Sequence, residues 1–222
     1  MKLVHPQLEQ QIIFGDNNSC EWVIESPELL FQYIQKLYMQ INGTEGGFVL
    51  SEGMEEVELS KYAEIVIDPF MINLNDRKVM TKLYMELSQI AGDGENYLMT
   101  QEIMGSLQKY LFLLEQQSPY ILETNPNIDI MAIFKALGVK IQDYSENHIE
   151  KTNQYIKIMA GLLRKRLIIF VNIGCYFTNE QIVELIKTAK CEEISLLFIE
   201  NIQRNFPKEV LHYIIDEDKC EI

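Results

Sequence analysis

The residues best suited to chemistry are two acids that close apolar runs and one basic triplet. Asp68 closes Ile65-Val66-Ile67, and Glu200 closes Leu196-Leu197-Phe198-Ile199. In nucleotide hydrolases an acid so placed holds magnesium. That chemistry also needs a Gly-x-x-x-x-Gly-Lys-Ser/Thr loop, whose backbone N–H groups cradle phosphates while the lysine reaches the terminal ones. No such string occurs in the chain. Gly43–Gly47 carries glycines but no lysine, and it follows a helical pattern rather than a strand. The two acids therefore read first as polar residues where a strand leaves the core. A divergent magnesium-dependent nucleotide hydrolase built on Asp68 or Glu200 is the alternative. Serines and histidines are present, but nothing in their order shows a converging triad.

The triplet Arg164-Lys165-Arg166 is the densest basic cluster. It sits between a helical stretch and the strongest apolar run. Cations at a helix C-terminus offset the helix dipole, which is one reading. The other is contact with DNA phosphates, joined by Lys135, Lys140, Lys151 and Lys157 in the preceding segments.

Composition limits both readings. The formal net charge is −14 over 222 residues, with 23 % charged and 47 % apolar residues. Such a chain can bury one sizeable core, or one core and a smaller lobe. An acidic balance argues against nucleic acid, since DNA binders show a basic footprint. It does not say where the charges sit, and lysines can gather on one surface. An acidic protein–protein scaffold without DNA contact stays open on composition alone. The four cysteines, Cys20, Cys175, Cys191 and Cys220, form no C-x-x-C pair, and the three histidines keep no ligand spacing to them. No stretch approaches the roughly 20 apolar residues that span a bilayer. The expectation is a cytoplasmic protein away from membranes.

The elements that position these residues follow from hydrophobic pattern. Leu167–Asn172 and Ile194–Glu200 read as strands buried on both faces, as in a parallel sheet, with Ile65–Asp68 and Tyr213–Asp216 as shorter ones. Thr178–Lys190 between the two strongest opens with a capping-box spacing, Thr178 to Gln181. Glu146–Leu163 is a helix ahead of the first. Near the N-terminus, extended segments at Lys2–His5 and Gln11–Phe14 precede a helix that starts at Ser26-Pro27-Glu28, with Ser26 as cap, and ends near Ile41. Phe48–Leu50 reads as a further strand. Asp76–Ala91 and Asn96–Gln117, joined through Gly92-Asp93-Gly94, form an αα-hairpin, and Ser118–Asn127 returns the chain to the core.

Four blocks in this order resemble a known family. They are Ile65–Asn73, Phe134–Ile141, Leu163–Asn172 with Phe177-Thr178-Asn179-Glu180, and Leu196–Glu200 with Tyr213–Asp218. Together they resemble the type II-A CRISPR adaptation protein often called Csn-two, in its short form. The resemblance implies an α/β fold: a P-loop-ATPase-like parallel-sheet head without a working phosphate loop, and an inserted α-helical leg. Residues 1–74 and 128–222 would form the head and 75–127 the leg. It implies a non-catalytic homotetrameric ring that takes double-stranded DNA by its ends through a channel of Lys and Arg. It also implies calcium, with Glu123 and Asp129 as ligands in this chain, and a role in spacer acquisition beside the CRISPR integrase and the effector nuclease. Lys135, Lys140, Lys151, Lys157, Arg164, Lys165 and Arg166 are the residues expected to meet DNA.

Overall fold

The computed structural model describes every residue except 15–17, 126, 144–145, 205 and 208–209. In chain order the elements are β1 (Lys2–Val4), β2 (Ile12–Ile13), β3 (Ser19–Ile24), α1 (Pro27–Ile41), β4 (Val49–Glu52), β5 (Glu55–Val57), α2 (Leu59–Tyr62) and β6 (Ala63–Val66). They continue as α3 (Arg77–Gly92), α4 (Gly94–Gln117), α5 (Ile130–Ala136), α6 (His148–Gly161), β7 (Leu167–Val171), α7 (Asn179–Cys191), β8 (Ser195–Glu200) and β9 (Leu211–Ile215).

A five-stranded sheet runs in the order β6-β7-β8-β3-β9, and every neighbouring pair is parallel. A second, antiparallel sheet runs β2-β1-β4-β5. The first parallel strand in the chain, β3, thus lies between the last two. All six of its residues are buried. Alternation divides them: Cys20, Trp22 and Ile24 enter a core shared with Tyr33 and Leu37 of α1, Leu3 and Leu50 of the antiparallel sheet, and Leu197 of β8. On the other face of the sheet, Phe170 and Phe198 stack at 6.1 Å, and α6 and α7 bury Ile156, Met159, Ile182 and Leu185.

Strand β3 and the short β5 are absent from the sequence expectations. Glu21 and Ser19 interrupt what would otherwise read as an apolar run, and a buried carboxylate in a central strand defeats a hydropathy pattern. The capping box at Thr178 and Gln181 forms as expected. Ser26 does not cap α1 through its side chain; Pro27 occupies the first turn, and the Ser26 carbonyl accepts the Leu30 N–H at 2.9 Å. The connection from β3 to α1 is Glu25-Ser26, with neither glycine nor lysine.

Two compact units result, residues 1–74 with 143–222, and residues 75–142. The expected return to the head at residue 128 is therefore displaced to 143. Tyr84 Oη donates to the Val139 carbonyl at 2.9 Å, and Asn75 exchanges hydrogen bonds with Ile141 at 2.8 and 2.9 Å, so the segment after α5 belongs to the helical unit. Among the described residues, no helix is long and apolar enough to cross a membrane.

Candidate nucleic-acid interface

The basic triplet sits where α6 meets β7. Asn147 caps the start of α6 by accepting the Glu150 N–H at 3.4 Å. Apolar residues at Tyr155, Ile156 and Met159 bury one side and leave Lys157 exposed on the other. After Gly161 the chain leaves the helix through Arg164, which adopts a left-handed φ of 57°. The Lys165 N–H then closes the helix end on the Met159 carbonyl at 2.8 Å. Left-handed backbone is uncommon outside glycine and costs strain. Here it turns the chain so that the three cations part company. Lys165 points inward, its side chain 11 % exposed, and Nζ donates to the carbonyls of Ser60 at 2.8 Å and Ala63 at 2.7 Å, with Glu64 4.0 Å away. Arg164 and Arg166 are exposed on either side of it.

The seven expected DNA contacts thus divide. Lys157, Arg164 and Arg166 are exposed on the α/β unit. Lys165 is committed to main-chain carbonyls, the task of a structural lysine rather than of a phosphate ligand. Lys151, with a side chain 15 % exposed, faces Asp143 at 3.5 Å. Lys135 and Lys140 are exposed on the helical unit, Lys135 Nζ lying 5.9 Å from the Tyr84 ring centre. Exposed cations on a rigid helix end can pair with phosphates without reading bases.

The acids at strand ends have other partners than magnesium. Asp68 accepts the Phe70 N–H at 2.9 Å and caps the short 3-10 helix Pro69–Met71. Glu200 is fully buried; it accepts the Gly174 N–H at 2.9 Å and Arg204 Nε at 3.2 Å. Burial pushes its pKa up, and the bonds from Gly174, Arg204 and Ile173 pull it partly back. Any side chain at Gly174 would place its Cβ 2.6 Å from Arg204 Cδ and 3.2 Å from Glu200 Oε2, so the pair is packed closed. Beside it, Glu21 of β3 is also fully buried, and its Oε2 lies 2.6 Å from Nδ1 of His212 on β9. Burial raises the Glu21 pKa first of all; the bond and charge of His212 oppose the shift, and the charge of Glu200 adds to it. Sequence reasoning missed this group. Its only signal is a lone acid flanked by Cys20 and Trp22.

The calcium expectation rests on Glu123 and Asp129. Glu123 is exposed in a loop, and Asp129 spends Oδ1 on the Met131 N–H at 2.9 Å, capping α5. Calcium takes roughly six to eight oxygens. Among the described residues no group of three or more His, Cys, Asp or Glu side chains is placed to hold an ion. Among the described residues, the donors of a single chain do not fit the ion.

The family model described as CRISPR-associated protein (Cas_Csn2) matches residues 40–219. A protein of Enterococcus faecalis named CRISPR-associated protein Csn2 is 25 % identical over 193 residues, 85 % of this chain and 84 % of the relative. A protein of the same name from Streptococcus agalactiae is 34 % identical over 91 residues, 41 % of this chain and 40 % of the relative. The crystal structure of Stu0660 of Streptococcus thermophilus superposes with a TM-score of 0.60 at 15 % identity, covering 94 % of this chain and 69 % of that one, which shows a shared fold.

Proposed function

This chain belongs to the Csn2 family of CRISPR-associated proteins, and we propose that it serves CRISPR adaptation as a non-catalytic ring that holds double-stranded DNA by its ends. Family membership supports the adaptation role. The observation that carries the finer reading is the outward pair Arg164 and Arg166, held apart by the inward Lys165 at a rigid junction of helix and strand. With Lys157 on the preceding helix, these two exposed arginines after its end supply cations for phosphate contact on a chain of net charge −14. Contact of this kind is electrostatic, indifferent to sequence and steep in salt.

A ring needs self-association, and α4 supplies a reason for it. None of its 24 residues is buried. Leu98 is 68 % exposed, Phe112 57 % and Leu113 45 %, so apolar side chains face solvent around the helix rather than along one stripe. Exposed apolar surface of this extent marks an interaction site. In the proposed assembly, a homotetramer, a second copy of this helical unit covers it. The CRISPR integrase and the effector nuclease are the proposed partners of the ring.

The nucleotide-hydrolase alternative loses ground because Glu200 and Asp68 already serve structural partners. The deciding experiment is a gel shift of linear against covalently closed DNA at graded salt. Retention of linear DNA with weak binding of closed circles is expected. Equal affinity for both, or none for either, would falsify end-loading.

A further inference from the structure

Beyond the carboxyl ends of β6 and β7 lies a pocket of about 440 Å³, walled by the Pro69-Phe70 turn, the start of α6 and the turn that leads into α7. That volume falls within the range of roughly 300–1,000 Å³ usual for small-ligand sites. In open parallel sheets, ligands sit outside the carboxyl ends of strands. The wall is aromatic. Phe70 meets His148 at 5.2 Å and Tyr176 at 5.3 Å between ring centres, both nearly perpendicular to it. These rings are not core: Phe70 is 58 % exposed and Tyr176 52 %. Three sequence-distant segments thus bring rings to one cavity and leave them bare.

The polar lining narrows the occupant. Asn147, His148 and Ile149 are the cap and first residues of α6, and Phe177 and Gln181 flank the capped start of α7. Both helices present their positive ends here, which disfavours a free cation. Among the described residues, Glu146 is the single acid of the lining. A carboxylate accepts a hydrogen bond from an exocyclic amino group, as it does from cytosine N4. We propose that this pocket seats an unpaired nucleobase, stacked on Phe70 or Tyr176, with an amino-bearing base preferred over thymine through Glu146. The base comes either from a free nucleotide or from the unpaired terminal residue of a DNA strand; only the second source rests on the DNA-end reading above. Aromatic stacking is worth enough per base to change affinity about 5- to 140-fold.

The test uses the full chain and duplexes ending in an unpaired 2-aminopurine, whose emission falls on stacking, with anisotropy read in the same cuvette. In parallel, deoxyadenosine and deoxythymidine monophosphates are titrated against alkylation of Cys175, which lines the pocket. The chain for that arm carries Cys191→Ser and Cys220→Ser, since those thiols are also exposed. Quenching on binding, lost in Phe70→Ala and Tyr176→Ala with unchanged circular dichroism, is expected. So is a stronger protection by the adenine nucleotide that Glu146→Gln removes. Saturating anisotropy with unchanged emission, and no protection of Cys175, overturns the pocket and leaves the DNA-end reading standing. Protection by the free nucleotide without any duplex binding overturns that reading and supports the pocket. Protection by free arginine but not by nucleotides makes it a cation site and overturns the inference.

Discussion

Lys165 Nζ donates to the Ala63 carbonyl at 2.7 Å, tying the basic turn after α6 to the first residue of β6. The same ammonium holds the Ser60 carbonyl, so one cation ties α2 to the entry of an edge strand. Its neighbours Arg164 and Arg166 hold nothing of comparable kind in the hydrogen bonds and ion pairs described above and stand exposed.

This relationship separates stability from binding within three residues. Lys165→Ala removes charge-assisted bonds and strands two carbonyls, and should cost about 2–3 kcal/mol in urea unfolding. Arg164→Ala with Arg166→Ala should change stability by less than about 1 kcal/mol. The double variant should weaken DNA binding equally for all sequences. It should also lower the slope of log affinity against log salt by up to about two, near 0.9 for each lost phosphate contact. Unchanged affinity and slope would remove both arginines from the interface.

His5 is buried beside Phe48, their ring centres 4.6 Å apart. Burial, and then the charge of Lys36, lower its pKa, while a hydrogen bond to the Gly46 backbone opposes them. The folded state therefore prefers the neutral ring, and unfolding takes up a proton between the folded value and 6.5. Stability from this group is complete above 6.5 and drains away as pH falls toward the folded value. Urea midpoints measured across this window should fall with acid in the native chain and fall less in His5→Gln. Parallel curves would contradict the assignment.

Glu21 works in the opposite sense. Its folded pKa is raised above the usual 4.5, so the ionised form is penalised in the folded state. The penalty is absent below 4.5 and grows as pH rises through the folded value. The stability of Glu21→Gln relative to the native chain should accordingly rise with pH and then level off. A difference that does not move with pH would mean that His212 compensates the charge in full.

Assembly through α4 predicts a mass change without a fold change. Leu98→Glu and Phe112→Glu alter residues 68 % and 57 % exposed, so each chain should fold with unchanged circular dichroism. Light scattering should show the native chain as a multimer and the variants as smaller species. If native and variant chains are both monomers at working concentration, the ring proposal fails.

Much of this architecture is legible in the residues alone. Leu167–Val171 and Ser195–Glu200 are apolar throughout except at their ends, because strands buried on both faces admit little else, and the capping box at Thr178 marks the helix between them. The αα-hairpin follows from its period and its glycine break. What sequence could not show is β3, the strand that joins β9 to β8 and the rest of the sheet. Its buried Glu21 meets His212, which arrives from a strand 191 residues away. Nor could it distinguish Lys165 from the arginines beside it, since one left-handed residue decides which of three cations faces inward. Phe70, His148 and Tyr176 carry no common motif and meet only where β6 and β7 end beside the start of α6. Local pattern is set by the free energy of burying each residue on its own element. Which polar and aromatic groups share a site is set by the crossings of the chain, and that is a property of the fold.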